Sequence, residues 1–250
     1  MAPVLETRSL DKWFGGIVAA NAISLAIEKG ARHALIGPNG AGKTTFVNLL
    51  TGLLRPSGGE ILLDGAPITW LAPHQRVKLG IARTFQINQL YADLTPLETI
   101  GLAVSERMGR GGDWWRRMGT RDDVNAEIAE NLARFHLLDV MNETTATLPY
   151  GKQRLLEIAL AFACRPQVLL LDEPAAGVPD AERQELLATI GELPADVTVL
   201  LIEHDMDVVF SFADRISVLV NGGLLLDGAP EEVARDPRVK AVYLGEELDA

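Results

Sequence analysis

Nine residues constrain this chain more than any others: Gly37-Pro38-Asn39-Gly40-Ala41-Gly42-Lys43-Thr44-Thr45. They fit G-x-x-x-x-G-K-[ST], a pattern whose backbone amides curl around a phosphate. Gly37, Gly40 and Gly42 let the backbone turn tightly and approach an anion. Successive N–H groups from Asn39 through Ala41 to Thr45 then point into one anion-sized hollow, and a helix starting near Gly42 adds its positive end. Lys43 supplies a cation for the β- and γ-phosphates, and Thr44 a hydroxyl for Mg²⁺. The flanks agree with this reading. Ala34-Leu35-Ile36 forms an apolar run suited to a buried strand, and Phe46, Leu49, Leu50 and Leu53 recur at helical spacing. Strand, glycine loop and helix is the context the pattern requires.

The same logic extends along the chain. Val168-Leu169-Leu170-Leu171 is a second apolar strand, and it ends in Asp172-Glu173. Adjacent acids at the carboxyl end of such a strand lie where open α/β sheets place ligand chemistry. Asp172 is expected to help hold Mg²⁺, and Glu173 to polarise an attacking water beside the γ-phosphate. Val197–Ile202 and Ile216–Val220 read as further strands, with a helix carrying Leu186, Leu187 and Ile190 before them. Continuous apolar strands alternating with helices indicate a parallel sheet covered on both faces. Residues 4–30 read as short strands and turns, and Ile61-Leu62-Leu63 as a strand leading into an Asp64-Gly65 turn. Residues 87–163 are largely helical in pattern, with one apolar face through Val124, Ile128, Leu132 and Phe135 behind an Asp122 cap, and another through Leu155, Ile158, Ala159 and Phe162. The expected fold is α/β: a P-loop nucleotide-binding core over 1–86 and 164–250, interrupted by a helical insert at 87–163.

Bulk properties narrow the function. A chain of 250 residues with one cysteine, Cys164, is large enough to fold without disulfides. The balance of 23 basic and 34 acidic residues, net −11, argues against broad nucleic-acid binding. No apolar run approaches the ~18 residues that cross a bilayer, and the first residues carry no secretory pattern. A soluble protein, or one held at a membrane by a partner, is expected. A GTPase reading fails for want of an N-K-x-D segment, and His33, His74 and His136 read as structural.

With these motifs in order, the chain resembles the ATP-binding subunits of ABC transporters over nearly its whole length. The resemblance implies an ABC ATPase core with an antiparallel β subdomain, the signature loop within the helical insert, and roles for further residues. Gln86, in Arg83-Thr84-Phe85-Gln86, matches the glutamine that contacts Mg²⁺ and the attacking water. His204, in Ile202-Glu203-His204-Asp205, matches the switch histidine at the γ-phosphate. Asp180 matches the aspartate that communicates across a dimer, and Phe14 the aromatic that stacks on adenine, with Trp13 as second candidate. Leu148-Pro149-Tyr150-Gly151-Lys152 aligns with the signature loop, usually L-S-G-G-Q, which caps ATP bound to the opposite subunit. Here Pro149 has neither hydroxyl nor N–H, and Lys152 puts a charge where the family is neutral, which is expected to compensate in part for Pro149. Two outcomes stay open: a working but altered cap contributed by Tyr150, Gly151 and Lys152, or a composite site with weak hydrolysis.

Phe14-Gly15-Gly16, Tyr150–Ala159 and the tail Val242-Tyr243-Leu244-Gly245-Glu246-Glu247 resemble the branched-chain amino acid importer subgroup, with urea and amide importers as near alternatives. The resemblance implies ATP and Mg²⁺, two transmembrane permeases, a second ATPase chain in a hetero- or homodimer, and an extracytoplasmic solute-binding protein acting indirectly. It also implies a peripheral place on the cytoplasmic face of the inner membrane. A soluble, non-transport ABC ATPase is the main rival. The basic, aromatic run from Arg110 to Arg121 contacts either a permease or anionic headgroups, or packs its tryptophans on the helical insert.

Overall fold

The computed structural model describes residues 3–84, 90–109 and 122–244. Gln86, the segment Arg110–Arg121 and the tail beyond Leu244 therefore lie outside the described residues. The chain divides into two units, one comprising 1–81, 167–173 and 194–250, the other 82–166 and 174–193.

The first unit begins with two long strands, β1 (Pro3–Phe14) and β2 (Ile17–Glu28), joined by the Gly15-Gly16 turn. β3 (Arg32–Ile36) leads through the glycine loop into α1 (Lys43–Thr51). β4 (Gly58–Leu63) and β5 (Ala66–Pro67) follow, turning at Asp64-Gly65 with both φ angles positive, and then comes α2 (Pro73–Lys78); β6 (Ile81–Arg83) begins at the last residue of this segment and continues into the second unit. β1 pairs antiparallel with β2 and β4, giving a sheet ordered β2-β1-β4-β5, which is the expected antiparallel subdomain.

The second unit holds α3 (Pro96–Arg107), α4 (Asp122–Arg134), α5 (Tyr150–Ala163) and α6 (Asp180–Gly191). Thr95 caps α3 in a reciprocal pair with Glu98. Val124, Ile128, Leu132 and Phe135 are buried, as their spacing requires, and Phe135 meets Phe162 edge-on at 5.5 Å. Glu127 is paired by Arg107 and Arg165, which explains how a carboxylate sits in that packing.

The chain returns to the first unit with β7 (Val168–Asp172), β8 (Thr198–Ile202), α7 (Met206–Phe212), β9 (Arg215–Val220), β10 (Gly223–Gly228), α8 (Pro230–Arg235) and α9 (Pro237–Leu244). The second sheet runs β10-β9-β3-β8-β7-β6. β3 is parallel to β8 and β9, and β7 to β8; β10 is antiparallel to β9 and is an addition to the expected set. β7 and β8 are buried at every residue, which is why they read as unbroken apolar runs.

Two buried polar devices stiffen this unit. Arg76 is 1% exposed, and its guanidinium donates to the carbonyls of Leu49 (2.7 Å), Leu50 (2.8 Å), Thr69 (2.7 Å) and Leu71 (3.1 Å). It satisfies the open carbonyl end of α1 with a cation, where the helix dipole favours one. At the opposite end of β3, His33 is fully buried; its Nε2 lies 2.7 Å from Ser217 Oγ, which donates to Asp227 at 2.9 Å. Burial holds the imidazole neutral, pushing its pKa down to about 4, with Asp227 opposing and Arg215 assisting.

That depression has a stability consequence. The folded state binds fewer protons at His33 than the unfolded chain does between its ordinary pKa near 6.5 and about 4. The contribution is fully present above pH 6.5 and is lost as pH falls through that window, by about 3 kcal/mol in all. Urea midpoints measured from pH 7.5 to 4 are expected to fall in the wild type and to fall less steeply in His33→Gln. Equal slopes would remove His33 from the account.

Candidate functional site

Strand register gathers the site. Leu35 of β3 lies beside Ile202 of β8, and Ile202 beside Asp172 of β7. The three parallel strands therefore end level, and whatever follows each of them meets at one edge: the glycine loop, Glu173, and Glu203-His204.

In the glycine loop, Gly37 and Ala41 are buried while Asn39 and Gly40 are exposed. At Gly37, φ is +152°, and an added Cβ would lie 2.2 Å from the Leu219 carbonyl oxygen, so only glycine fits. The loop is pinned from the side where Gly222 N–H donates to the Ala41 carbonyl at 3.1 Å. Gly42 ends the loop in a left-handed conformation, and α1 starts at Lys43 with no side-chain cap, so its first amides are not capped from within the helix. Lys43 Nζ donates to the carbonyls of Gly37 (2.5 Å) and Pro38 (3.2 Å), folding the side chain back over the loop. Burial pushes its pKa down, against the opposing pull of Glu173 and Asp172. Thr44 is exposed and Thr45 half-buried.

Asp172 is 3% exposed. Glu173 sits in the left-handed region at φ 46°, a strained conformation for a non-glycine, and its N–H donates to the Ile202 carbonyl at 2.9 Å. His204 Nδ1 is 3.6 Å from Glu173 Oε1, and its ring is 63% exposed. Lysine, two carboxylates and histidine, expected from separate stretches of sequence, therefore belong to one constellation. The Asp172 carboxylate and Thr44 hydroxyl are hard oxygen donors, the chemistry that suits a Mg²⁺ sharing its remaining positions with phosphate and water. Phe14, at the end of β1, is 46% exposed with Lys12 Nζ 4.9 Å from its ring, and Trp13 is 50% exposed. Both aromatics present open faces rather than filling the core.

Sequence reasoning passed over Glu203 and Tyr243. Glu203 is 2% exposed, and its Oε2 accepts from the His204 N–H at 3.1 Å. A carboxylate next to a candidate histidine was the signal available. The Tyr243 hydroxyl accepts from the Gly37 N–H, and burial pushes its pKa up to about 12.

In the second unit, Pro149 precedes α5 and Tyr150 begins it. The Gly151 N–H donates to Glu182 Oε2 of α6 at 2.7 Å, and an added Cβ would lie 2.4 Å from that oxygen. A carboxylate from the same chain thus occupies the position where the helix end favours an anion. Lys152 does not project its charge outward: Nζ donates to the His136 carbonyl (2.6 Å) and Glu185 (3.2 Å), with Asp139 at 3.8 Å. The expectation that it compensates for Pro149 meets this local neutralisation. Asp180 is exposed at the first position of α6.

Comparison with known proteins places these features in context. Residues 20–176 match the model of the ABC transporter family, and residues 224–249 match that of the branched-chain amino acid ATP-binding cassette transporter. The chain is 41% identical to the high-affinity branched-chain amino acid transport ATP-binding protein BraF of Pseudomonas aeruginosa, across 98% of each chain. It is 39% identical to LivG of Escherichia coli, similarly described, again across 98% of each. Among solved structures, the ADP conformation of MJ1267, an ATP-binding cassette of an ABC transporter, superposes with a TM-score of 0.85 at 29% identity, covering 98% of this chain and all of that one. A nucleotide-free ATP-binding cassette gives 0.83 at 28%, covering 96% and 98%.

Proposed function

The chain belongs to the ABC transporter family, and on that premise we propose that it is the ATP-hydrolysing subunit of a branched-chain amino acid importer, with its work divided among the residues as follows. The observation that carries the reading is the convergence of Lys43, Asp172, Glu173 and His204 at the level ends of β3, β7 and β8. The match at 224–249 supports the solute class.

The amides from Asn39 to Thr45 and the Lys43 ammonium hold the phosphates, and Phe14 or Trp13 stacks on the base. Entry of the phosphates draws Lys43 from the carbonyls of Gly37 and Pro38 to a stronger, charged acceptor. Thr44 and Asp172, with Gln86, would hold Mg²⁺, which would neutralise phosphate charge. Glu173 accepts a hydrogen bond from the attacking water and takes its proton. His204 orients the γ-phosphate. In a dimer with a second ATPase chain, the α5 N-terminus at Gly151 caps the opposing nucleotide, and Glu182 gives way to it.

The membrane partners would dock on the helical unit. A groove of about 300 Å³ there is lined by Leu90, Tyr91, Thr99, Leu102, Glu106 and Leu160. Tyr91 is 71% and Leu102 51% exposed, which is costly for a monomer and apt for an apolar helix of a permease. Among the described residues no helix is long and apolar enough to cross a membrane, so attachment through such partners gives a peripheral position on the cytoplasmic face.

Gentle solubilisation of native membranes, followed by capture of this chain, tests the reading. Two permeases and a second ATPase are expected to come with it, and Tyr91→Asp with Leu102→Asp is expected to reduce their recovery at least tenfold. Capture without any membrane protein would favour a soluble ATPase instead.

A further inference from the structure

Glu203 presents a physical puzzle. It follows the last residue of β8, is 2% exposed, and has one carboxylate oxygen, Oε1, buried with no hydrogen-bond partner. Burying a carboxylate incompletely satisfied is destabilising. Burial accordingly pushes its pKa up, while the backbone N–H groups of His204 and Asp205 pull it back. A glutamine of the same shape would relieve the charge, so stability does not account for a glutamate here.

Its surroundings supply a different account. Oε2 accepts the His204 N–H at 3.1 Å and lies 3.8 Å from His204 Nδ1. Glu173 Oε1 lies 3.6 Å from the same nitrogen. Two carboxylates, one from the end of β7 and one from the end of β8, thus flank one nitrogen of an otherwise exposed ring. Neither is within hydrogen-bond distance of Nδ1, but both negative charges lie beside that nitrogen, so their field favours the N–H there and leaves the other ring nitrogen as the acceptor. Asp205 caps α7 through its own carboxylate, accepting from Asp207 (3.0 Å) and Val208 (3.3 Å), which holds the next residue in place. His204 therefore has its backbone tied on one side by Glu203 and its ring aimed by Glu203 and Glu173.

We propose that Glu203 is a positioning residue for ATP hydrolysis, holding the His204 backbone and fixing the proton on Nδ1 so that Nε2 is presented to the nucleotide. The inference rests on the reading of the site given above. It assigns to Glu203 no contact with substrate; its effect passes through His204.

The test compares Glu203→Gln with wild type, using the full-length chain assembled in its transporter complex. Steady-state ATP hydrolysis is expected to lose roughly 10- to 100-fold in kcat, the scale of a misplaced reacting group, with KM for ATP within about twofold. The thermal midpoint is expected to stay level or rise, because a buried charge has been removed. The ¹⁵N shifts of the His204 ring are expected to move toward the other tautomer. Glu203→Asp, which keeps the charge, is expected to recover part of the rate. Wild-type turnover in Glu203→Gln overturns the proposal, and so does a lost rate accompanied by a lowered thermal midpoint, which marks a structural residue. Glu173→Gln measured alongside separates the two claims. Full turnover there refutes the reading of the site itself, whereas loss at Glu173 without loss at Glu203 refutes only the present inference.

Discussion

Replacing Glu173 by Gln is expected to abolish ATP turnover while leaving ATP binding intact. The substitution keeps the side chain's shape and its contact distance to His204, 3.6 Å in the wild type. It removes the negative charge and with it the ability to accept a proton. General-base contributions run to roughly 10²–10⁴-fold, which sets the expected loss in kcat. Binding rests on the glycine loop, so the affinity for MgATP should change little. The backbone at 173 is held by the N–H bond to the Ile202 carbonyl, which the substitution does not touch. Single-turnover hydrolysis and equilibrium binding on the same preparation decide the matter. Wild-type turnover would mean that another group takes the proton.

Lys43→Ala produces the second large effect, in the opposite parameter. The ammonium is held among carbonyl oxygens 2.5 and 3.2 Å away and within the field of Glu173 and Asp172. Its removal deletes the cation that phosphate would recruit and leaves two carboxylates facing the incoming anion. A charged hydrogen bond of this kind is worth about 1.5–3 kcal/mol, so ATP affinity is expected to fall roughly 10- to 150-fold. Calorimetric titration with MgATP measures it directly. An unchanged affinity would show that the loop does not cradle phosphate through Lys43. The two variants separate binding from chemistry: one retains nucleotide without turnover, the other fails to retain it.

On the proposed reading, the loop at 148–152 would bear on how two ATPase subunits share work. Pro149 cannot donate, and Lys152 is neutralised by Glu185 and the His136 carbonyl. What the loop still offers is the Gly151 amide at the start of α5, engaged by Glu182. On the proposed reading, an opposing nucleotide would have to replace that carboxylate, and closure would become a competition between two anions for one helix end.

Much of this protein was legible in its sequence because the informative signals are local. The glycine loop needs nine consecutive residues, and strands β3, β7 and β8, buried on both faces, read as unbroken apolar runs. Asp172 and Glu173 follow one of those runs directly, so strand and site were read together. Strand character in residues 4–30 and the helical character of the insert followed from alternation and from 3.6-residue spacing, whereas β1 and β2 prove to be 12 residues each and their pairing was not read from local pattern. β10 was not anticipated; its residues are all half-buried except Gly228, so it lacks the unbroken apolar run of the other strands.

The rest depends on contacts between residues far apart in the chain, which no local pattern encodes. That Glu173 and His204 share a contact follows from the pairing of Asp172 with Ile202, a register set by the packing of two whole strands. That Glu203 is buried with an unpaired oxygen follows from the depth of β8 in the sheet. That Lys152 is internally neutralised follows from α6 supplying Glu185, thirty-three residues along the chain. The sequence alone determined which chemical groups this protein carries and which short elements present them. The tertiary structure decided which of those groups touch, because register and helix packing come from burying the chain's apolar surface as a whole.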